Sequence, residues 1–94
     1  MIETACDQIQ EVVKKAFEDK NLDIDAFAHD ITCFNDTGIK CAVVYDNMSL
    51  DRQFFIVYLG ITLDKEWKLK KFDYKDTVCD GIDAMNEVDA YFRG

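Results

Sequence analysis

The sequence predicts an α+β fold, in which a four-stranded antiparallel meander sheet is flanked by N- and C-terminal helices. Apolar residues recur with helical period in the first and last segments of the chain. Four segments between them alternate apolar and polar residues, and short polar loops separate these segments. Strands that follow one another at such short spacing pair as antiparallel neighbours. With 94 residues, the chain (1–94) is expected to form a single domain.

The first predicted helix covers residues 2–20. Its apolar face consists of Ile2, Ala5, Ile9, Val12, Val13 and Ala16. Charged side chains occupy the opposite face, so the helix is expected to pack on the sheet by one side. Asn21 is suited to end it, because asparagine tolerates a left-handed backbone conformation.

Residues 25–34 and 39–46 are predicted to form a β-hairpin. Gly38 suits the left-handed third position of a three-residue loop, residues 36–38. That loop fixes a register with the pairs Asn35–Ile39, Cys33–Cys41, Ile31–Val43 and His29–Tyr45. The register gathers apolar residues on one face of the hairpin, which supports it.

The third and fourth strands are predicted for residues 52–64 and 67–74. Both alternate sets of the third strand are largely apolar, which is typical of a central strand covered on both faces. In the fourth strand the apolar alternation changes parity at Lys70 and Lys71, and this change predicts a β-bulge there.

The last predicted helix begins with a capping-box-like Thr77-x-x-Asp80. Its apolar stripe consists of Val78, Ile82, Met85, Val88 and Phe92. We expect both terminal helices to pack on the same face of the sheet. In the alternative arrangement one helix covers each face.

The net charge of −8 is concentrated in the terminal thirds of the chain. On the last helix, acidic residues at intervals of four, three and four form a line: Asp76, Asp80, Asp83 and Glu87. Like charges at such spacing weaken a helix by about 0.2–0.5 kcal/mol per pair. No lysine follows any of the four at i+4. The line is interpreted either as a solvated face or as a surface that binds a basic protein partner.

Aromatic side chains of the sheet form a second candidate interface. If both helices cover one face, the other face exposes some of the residues Phe54, Tyr58, Phe72 and Tyr74. Lysines near these residues would form the rim of such a patch, and an apolar patch with a polar rim is typical of a protein interface, here of a homodimer. With one helix on each face, most of these aromatics would belong to the core.

The residues that could carry chemistry are few. His29 is the only histidine, and we expect a structural hydrogen bond to Tyr45 or to the backbone rather than catalysis. Cys33 and Cys41 are expected to be reduced, buried thiols, with a cross-strand disulfide as the alternative. The aspartates at 23, 25 and 30 lack the glycine and glutamate of a calcium loop. We therefore expect no catalytic residue, no metal and no cofactor.

The negative charge argues against direct binding to nucleic acid or to an anionic membrane. The N-terminal residues show no secretory pattern, and the longest apolar run is far below the roughly 20 residues of a membrane helix. The expected location is the cytoplasm, either of the source cell or of a host.

The expected function is that of a small acidic, non-catalytic protein-binding module. Its partner would be a basic protein that handles nucleic acid, and the module would act as an inhibitor or antagonist. Phage anti-defence proteins, including anti-CRISPR proteins, and nuclease immunity proteins share this size and charge. The alternative is a homodimeric adaptor or secretion-type chaperone that binds through the aromatic sheet face. An enzyme ranks last, because no phosphate loop, nucleophile–base pair or metal spacing occurs in the sequence.

Overall fold

Within the residues that the structure describes, the chain forms a helix, four consecutive strands and a second helix. The computed structural model describes residues 5–47, 53–75 and 81–94. The elements are α1 (Ala5–Asp19), β1 (Ala28–Phe34), β2 (Lys40–Asn47), β3 (Gln53–Ile61), β4 (Trp67–Lys75) and α2 (Gly81–Arg93). The strands form one antiparallel sheet in the order β1-β2-β3-β4, so the predicted meander is confirmed. The predicted cap of the last helix, at Thr77 and Asp80, lies outside the described residues.

The C-terminal end of α1 follows the prediction. Asn21 has a φ of 59°, and the Leu22 amide donates a 2.9 Å hydrogen bond to the Phe17 carbonyl oxygen. One 3₁₀ turn, Ile24–Ala26, then leads into β1. Asp23, the residue before this turn, caps it, because the Asp23 carboxylate accepts a 3.1 Å hydrogen bond from the Asp25 amide.

The β1–β2 hairpin has a different register from the predicted one. The Asn35 amide donates to the Lys40 carbonyl oxygen at 3.1 Å, so the loop has four residues instead of three. The side-chain oxygen of Asn35 holds this loop by accepting the amides of Ile39 and Lys40, each at 3.0 Å. Gly38 has the predicted left-handed conformation, with a φ of 70°. The predicted Asn35–Ile39 pair is therefore wrong.

The shift of register separates two cysteines. Cys33 pairs with Ala42, and Cys41 pairs with Phe34. Successive residues of a strand point to opposite faces, so the two thiols lie on opposite faces of the sheet. The predicted Cys33–Cys41 pair is therefore wrong, and both cysteines are free thiols.

Both edge strands contain a β-bulge. In β1 the extra residue is Asp30, and it restores the predicted pair of His29 with Tyr45. In β4 the extra residue is Lys70, because Tyr58 pairs with Lys71 while its neighbour Leu59 pairs with Leu69. The predicted bulge at Lys70–Lys71 is thus confirmed, whereas the one in β1 is a new finding.

The two helices lie on opposite faces of the sheet, so the expectation of both on one face is wrong. The buried cluster beneath α1 contains Ile9, Val13, Phe17, Cys41, Val43, Tyr45, Phe55, Val57, Leu59 and Trp67. The buried cluster beneath α2 contains Ala84 and Val88 with Ala42, Val44, Phe54, Ile56 and Tyr58. The reason is the composition of β3, whose two alternate sets are both apolar and must both be shielded from water. Neither described helix is long and apolar enough to cross a membrane.

This arrangement removes the aromatic surface expected for a second interface. Phe54 and Tyr58 are each only 2% exposed, because α2 packs over them. Phe72 is partly buried against the cluster beneath α1. Tyr74 belongs to β4, and its side chain is not among those that the structure describes. The expectation that Phe54 and Tyr58 are exposed is wrong, because each face of the sheet carries its own helix.

Candidate functional site

The predicted acidic line on α2 is only partly a solvent-facing surface. Asp83 is exposed, whereas Glu87 is half-buried, and both already take part in interactions within the chain. Burial raises the pKa of the Tyr58 phenol, and the negative charges of Asp73 and Glu87 raise that pKa further. Glu87 therefore lies near the sheet. Asp76 and Asp80 fall outside the described residues.

A second group of carboxylates lies where α1 ends and β1 begins. We call Glu18, Asp19, Asp23 and Asp25 the acidic end. All four side chains are exposed, and within the described part of the chain none of them forms an ion pair. No basic residue lies in the last turn of α1, although the negative end of the helix dipole favours one. The acidic end therefore offers four exposed carboxylates without an ion pair in the described part of the chain, although Asp19 lines a recess together with Lys15 and Lys68.

β1 is the strand that the helices cover least. It lies at one edge of the sheet, while α1 packs mainly against β4 and α2 packs against β2 and β3. Among the described residues, no strand pairs with its outer side. Each face next to this edge is therefore only partly covered by a helix.

The hydrogen-bond pattern shows which backbone groups of β1 point outward. The Asn35 amide donates toward β2, and the direction alternates along an antiparallel strand. Cys33 therefore points its backbone groups toward β2, whereas Thr32 and Phe34 point theirs away from the sheet. The N–H and C=O groups of these two residues form an unpaired edge.

Exposed apolar side chains gather around the same edge. The exposed large hydrophobic residues of the described chain are Ile31, Phe34, Ile39, Leu63, Leu69 and Met85. Two of them belong to β1, one follows it in the loop, and Met85 faces the groove beside Cys33. Phe34 is 45% exposed although its ring lies 6.0 Å from the Trp67 ring. Such a concentration at one edge is typical of an interaction surface.

A cavity lies beside β1 on the α1 face, and we call it the α1-side cavity. Its volume is about 180 Å³, and it is lined by Ile9, Gln10, Val13, His29, Thr32, Phe34, Val43 and Tyr45. The bulge at Asp30 brings His29 and Thr32 to the same face, where His29 Nε2 lies 2.5 Å from the Thr32 hydroxyl oxygen. The His29 ring also lies 5.5 Å from the Tyr45 ring. Burial raises the pKa of the Tyr45 phenol.

A second recess, the α2-side groove, lies on the other face of β1. It is lined by Cys33, Met85, Asn86, Val88, Asp89 and Phe92. Burial raises the pKa of the Cys33 thiol, so this cysteine is a weaker nucleophile at neutral pH than an exposed one. The edge of β1 thus has a recess on each side.

The α1-side cavity contains one arrangement that could suggest catalysis, the contact of His29 with the Thr32 hydroxyl. A histidine that activates a hydroxyl needs a third group to orient it. The described lining provides no carboxylate for that role. Within residues 5–47, 53–75 and 81–94, no three histidine, cysteine or acidic side chains are grouped closely enough to hold a metal ion. The cavity is therefore described best as an apolar recess with a polar wall.

Sequence reasoning did not find the β1 edge as a site. The segment Ile31–Phe34 contains no charged residue, and this feature of the sequence could have indicated an unprotected edge. The decisive facts were the placement of the helices and the bulge, which depend on the tertiary structure. Comparison with known proteins adds no guidance, because no family model, no curated protein and no solved structure matches this chain.

Proposed function

We propose that this chain is a small acidic, non-catalytic protein-binding module that binds a basic protein partner. The observation that carries the proposal is the unpaired edge of β1, where Ile31 and Phe34 are exposed on the strand and the exposed carboxylates of Asp25 and Asp36 lie before and after it in the chain. Apolar contacts at such an edge supply affinity, and the charge selects partners and accelerates their encounter.

The partner class follows from the charge. A net charge of −8 repels nucleic acid and anionic membranes but attracts proteins that bind them. A module that occupies the phosphate-binding surface of such a protein acts as its inhibitor or antagonist. We propose this role, in the cytoplasm of the source cell or of a host. The alternative dimer through the aromatic sheet face loses its support, because Phe54 and Tyr58 are buried.

Two charge-reversal variants test the proposal. The first changes Glu18, Asp19 and Asp25 of the acidic end to lysine, and leaves Asp23 to cap the 3₁₀ turn. The matched control changes three exposed acids that line neither recess beside β1, Glu11, Asp64 and Glu66, and therefore has the same net charge. Immobilised wild type and both variants are exposed to lysate of the source cell, or of its host, at about 50 and 500 mM salt, and retained proteins are identified.

We expect wild type and the control variant to retain a basic protein at low salt. The acidic-end variant should lose that protein, and high salt should release it, because the screening length between exposed charges falls from about 14 Å to about 4 Å over this range. Equal retention by both variants would contradict the role of the acidic end. Retention that is insensitive to salt would contradict a charge-directed partner.

A further inference from the structure

We propose that β1 is a strand-addition site, at which an extended segment of the basic partner pairs with the outer edge of the sheet. One bulky apolar side chain of that segment enters the α1-side cavity, and lysine or arginine residues flank it. This inference rests on the proposed function, because it states how the module holds its partner. Three independent features carry it: the backbone groups of the edge, the two recesses beside it and the carboxylates at its ends.

The backbone of β1 is ready for pairing. Thr32 and Phe34 direct two N–H donors and two C=O acceptors away from the sheet. The opposite edge, β4, carries three exposed lysines, at positions 68, 70 and 71, and such charges oppose the addition of a strand. In contrast, the stretch from Ile31 to Phe34 has no charge that would oppose an added strand. The two edges of one sheet therefore differ in the property that controls strand addition.

The recesses match the geometry of an added strand. Its alternate side chains would point to opposite faces, one set toward the α1-side cavity and the other toward the α2-side groove. The α1-side cavity, at about 180 Å³, is smaller than the roughly 300–1,000 Å³ of typical small-molecule sites. A single aliphatic or aromatic side chain is a better match for it than a cofactor-sized ligand.

Charge at the two ends of β1 defines the flanks of the partner segment. Asp25 lies three residues before the strand and Asp36 two residues after it, and both side chains are exposed. A segment with lysine or arginine at both ends would place its cations next to these carboxylates. The central part of the segment would remain apolar, as the uncharged edge requires.

A second copy of this chain is a poorer occupant. Each copy carries a net charge of −8, and two like-charged copies repel each other on association. Charge complementarity therefore selects a basic segment over self-association.

The test uses a displayed library of nine-residue peptides, with two lysines at each end and five random central positions. The library is selected against the whole chain, and the affinity of the selected peptides is measured by fluorescence anisotropy. We expect a bulky apolar residue to recur at alternate central positions. Hydrogen exchange of the bound chain should show new protection at the amides of Thr32 and Phe34, and not at Cys33, whose amide already points into the sheet.

Two variants separate strand addition from other binding modes. Thr32→Pro removes an outward donor without removing a β1–β2 hydrogen bond, and proline is tolerated at such edge positions. Thr32→Val is its control, because it also loses the contact with His29 but keeps the backbone N–H. In case the proline variant fails to fold, Gln10→Trp fills the rim of the α1-side cavity. Its control is Gln8→Trp, on the side of α1 that faces Glu66 and Trp67.

We expect Thr32→Pro to bind the selected peptides at least about tenfold more weakly than Thr32→Val does, and Gln10→Trp to bind them at least about tenfold more weakly than Gln8→Trp and wild type do. Equal binding by Thr32→Pro and Thr32→Val would overturn strand addition. Failure to select any peptide would also overturn it. A dimer of the wild-type chain that persists at high salt and that Thr32→Pro dissociates would overturn it as well. If the acidic-end variant alone loses the basic partner while Thr32→Pro retains it, the proposed function stands and this inference fails.

Discussion

The Tyr91 hydroxyl donates a 2.8 Å hydrogen bond to the Leu59 carbonyl oxygen, and so joins α2 to the central strand of the sheet. The Lys40 ammonium reinforces this junction, because it donates to the Tyr91 carbonyl oxygen at 3.1 Å and lies 5.1 Å from the centre of the Tyr91 ring. The C-terminal turn of α2 is therefore held to two strands by one tyrosine.

Replacing Tyr91 by phenylalanine should lower the free energy of unfolding by about 1 kcal/mol, because the Leu59 carbonyl loses its side-chain donor. Urea denaturation followed by the fluorescence of Trp67 measures this difference. Tyr45→Phe is the matched control, since the Tyr45 hydroxyl has no hydrogen bond within the described part of the chain. Equal destabilisation by the two variants would show that the Tyr91–Leu59 bond does not secure α2.

Oxidation should produce no disulfide between Cys33 and Cys41, because the two thiols lie on opposite faces of the sheet. The measurement uses a Cys6→Ser/Cys79→Ser variant, which leaves only these two cysteines. After treatment with diamide, peptide mapping by mass spectrometry should find no intramolecular link. A linked peptide pair in folded protein would contradict the observed register and favour the predicted one.

This register shows where sequence reasoning reached its limit. The left-handed Gly38 could be predicted, since glycine is favoured there. The length of the loop could not, because it depends on hydrogen bonds from the Asn35 side chain to two amides. The bulge at Asp30 could not be predicted either, since each of the two alternating sets of residues in β1 contains both apolar and polar residues. The lysine-rich bulge of β4 was predictable because a clear alternation changed parity there.

The position of the candidate site could also be predicted only in part from the sequence. The apolar composition of β3 already indicated two covered faces, and one helix on each face satisfies it. The sequence did not show that α1 is displaced toward β4, which leaves β1 the least covered strand. That displacement results from side-chain packing between distant segments, which no local pattern reports. The acidic line on α2 was visible in the sequence, but its internal interactions were not.

The stability of the fold should decrease at alkaline pH, with Tyr58 as one cause. The pKa of this phenol is about 10 in the unfolded chain, and folding raises it. Above about pH 10 the unfolded state therefore binds fewer protons than the folded state, and the free energy of unfolding falls as pH rises. Burial raises the pKa of Tyr45 and Tyr91 in the same direction.

Tyr58→Phe removes one of these ionisable groups. Its free energy of unfolding should fall less steeply than that of wild type between pH 9 and 11 (a range chosen to span about pH 10). Urea titrations at several pH values in this range provide the comparison. Parallel curves for the two proteins would mean that Tyr58 titrates alike in the folded and unfolded states, and would contradict its burial under α2.

Phe17 on α1 is the residue on which packing of the α1 face depends most. Its ring is fully buried and lies within 6 Å of four other rings, those of Phe27, Tyr45, Phe55 and Phe72. Phe17→Ala should cost about 3–5 kcal/mol, a large part of the roughly 5–15 kcal/mol that stabilises an ordinary domain. Phe17→Leu should cost less, because it leaves a smaller cavity.

Phe34→Ala is the control for the loss of stability expected of Phe17→Ala. Phe34 is 45% exposed at the β1 edge, so truncation there should change the free energy of unfolding much less than truncation of Phe17. Urea denaturation of the three variants measures both effects. If Phe34→Ala destabilises the chain as strongly as Phe17→Ala, Phe34 is part of the core and the edge of β1 is not a free apolar surface. A small loss at Phe34 instead means that its exposed ring contributes little to folding, which leaves it free to serve in binding.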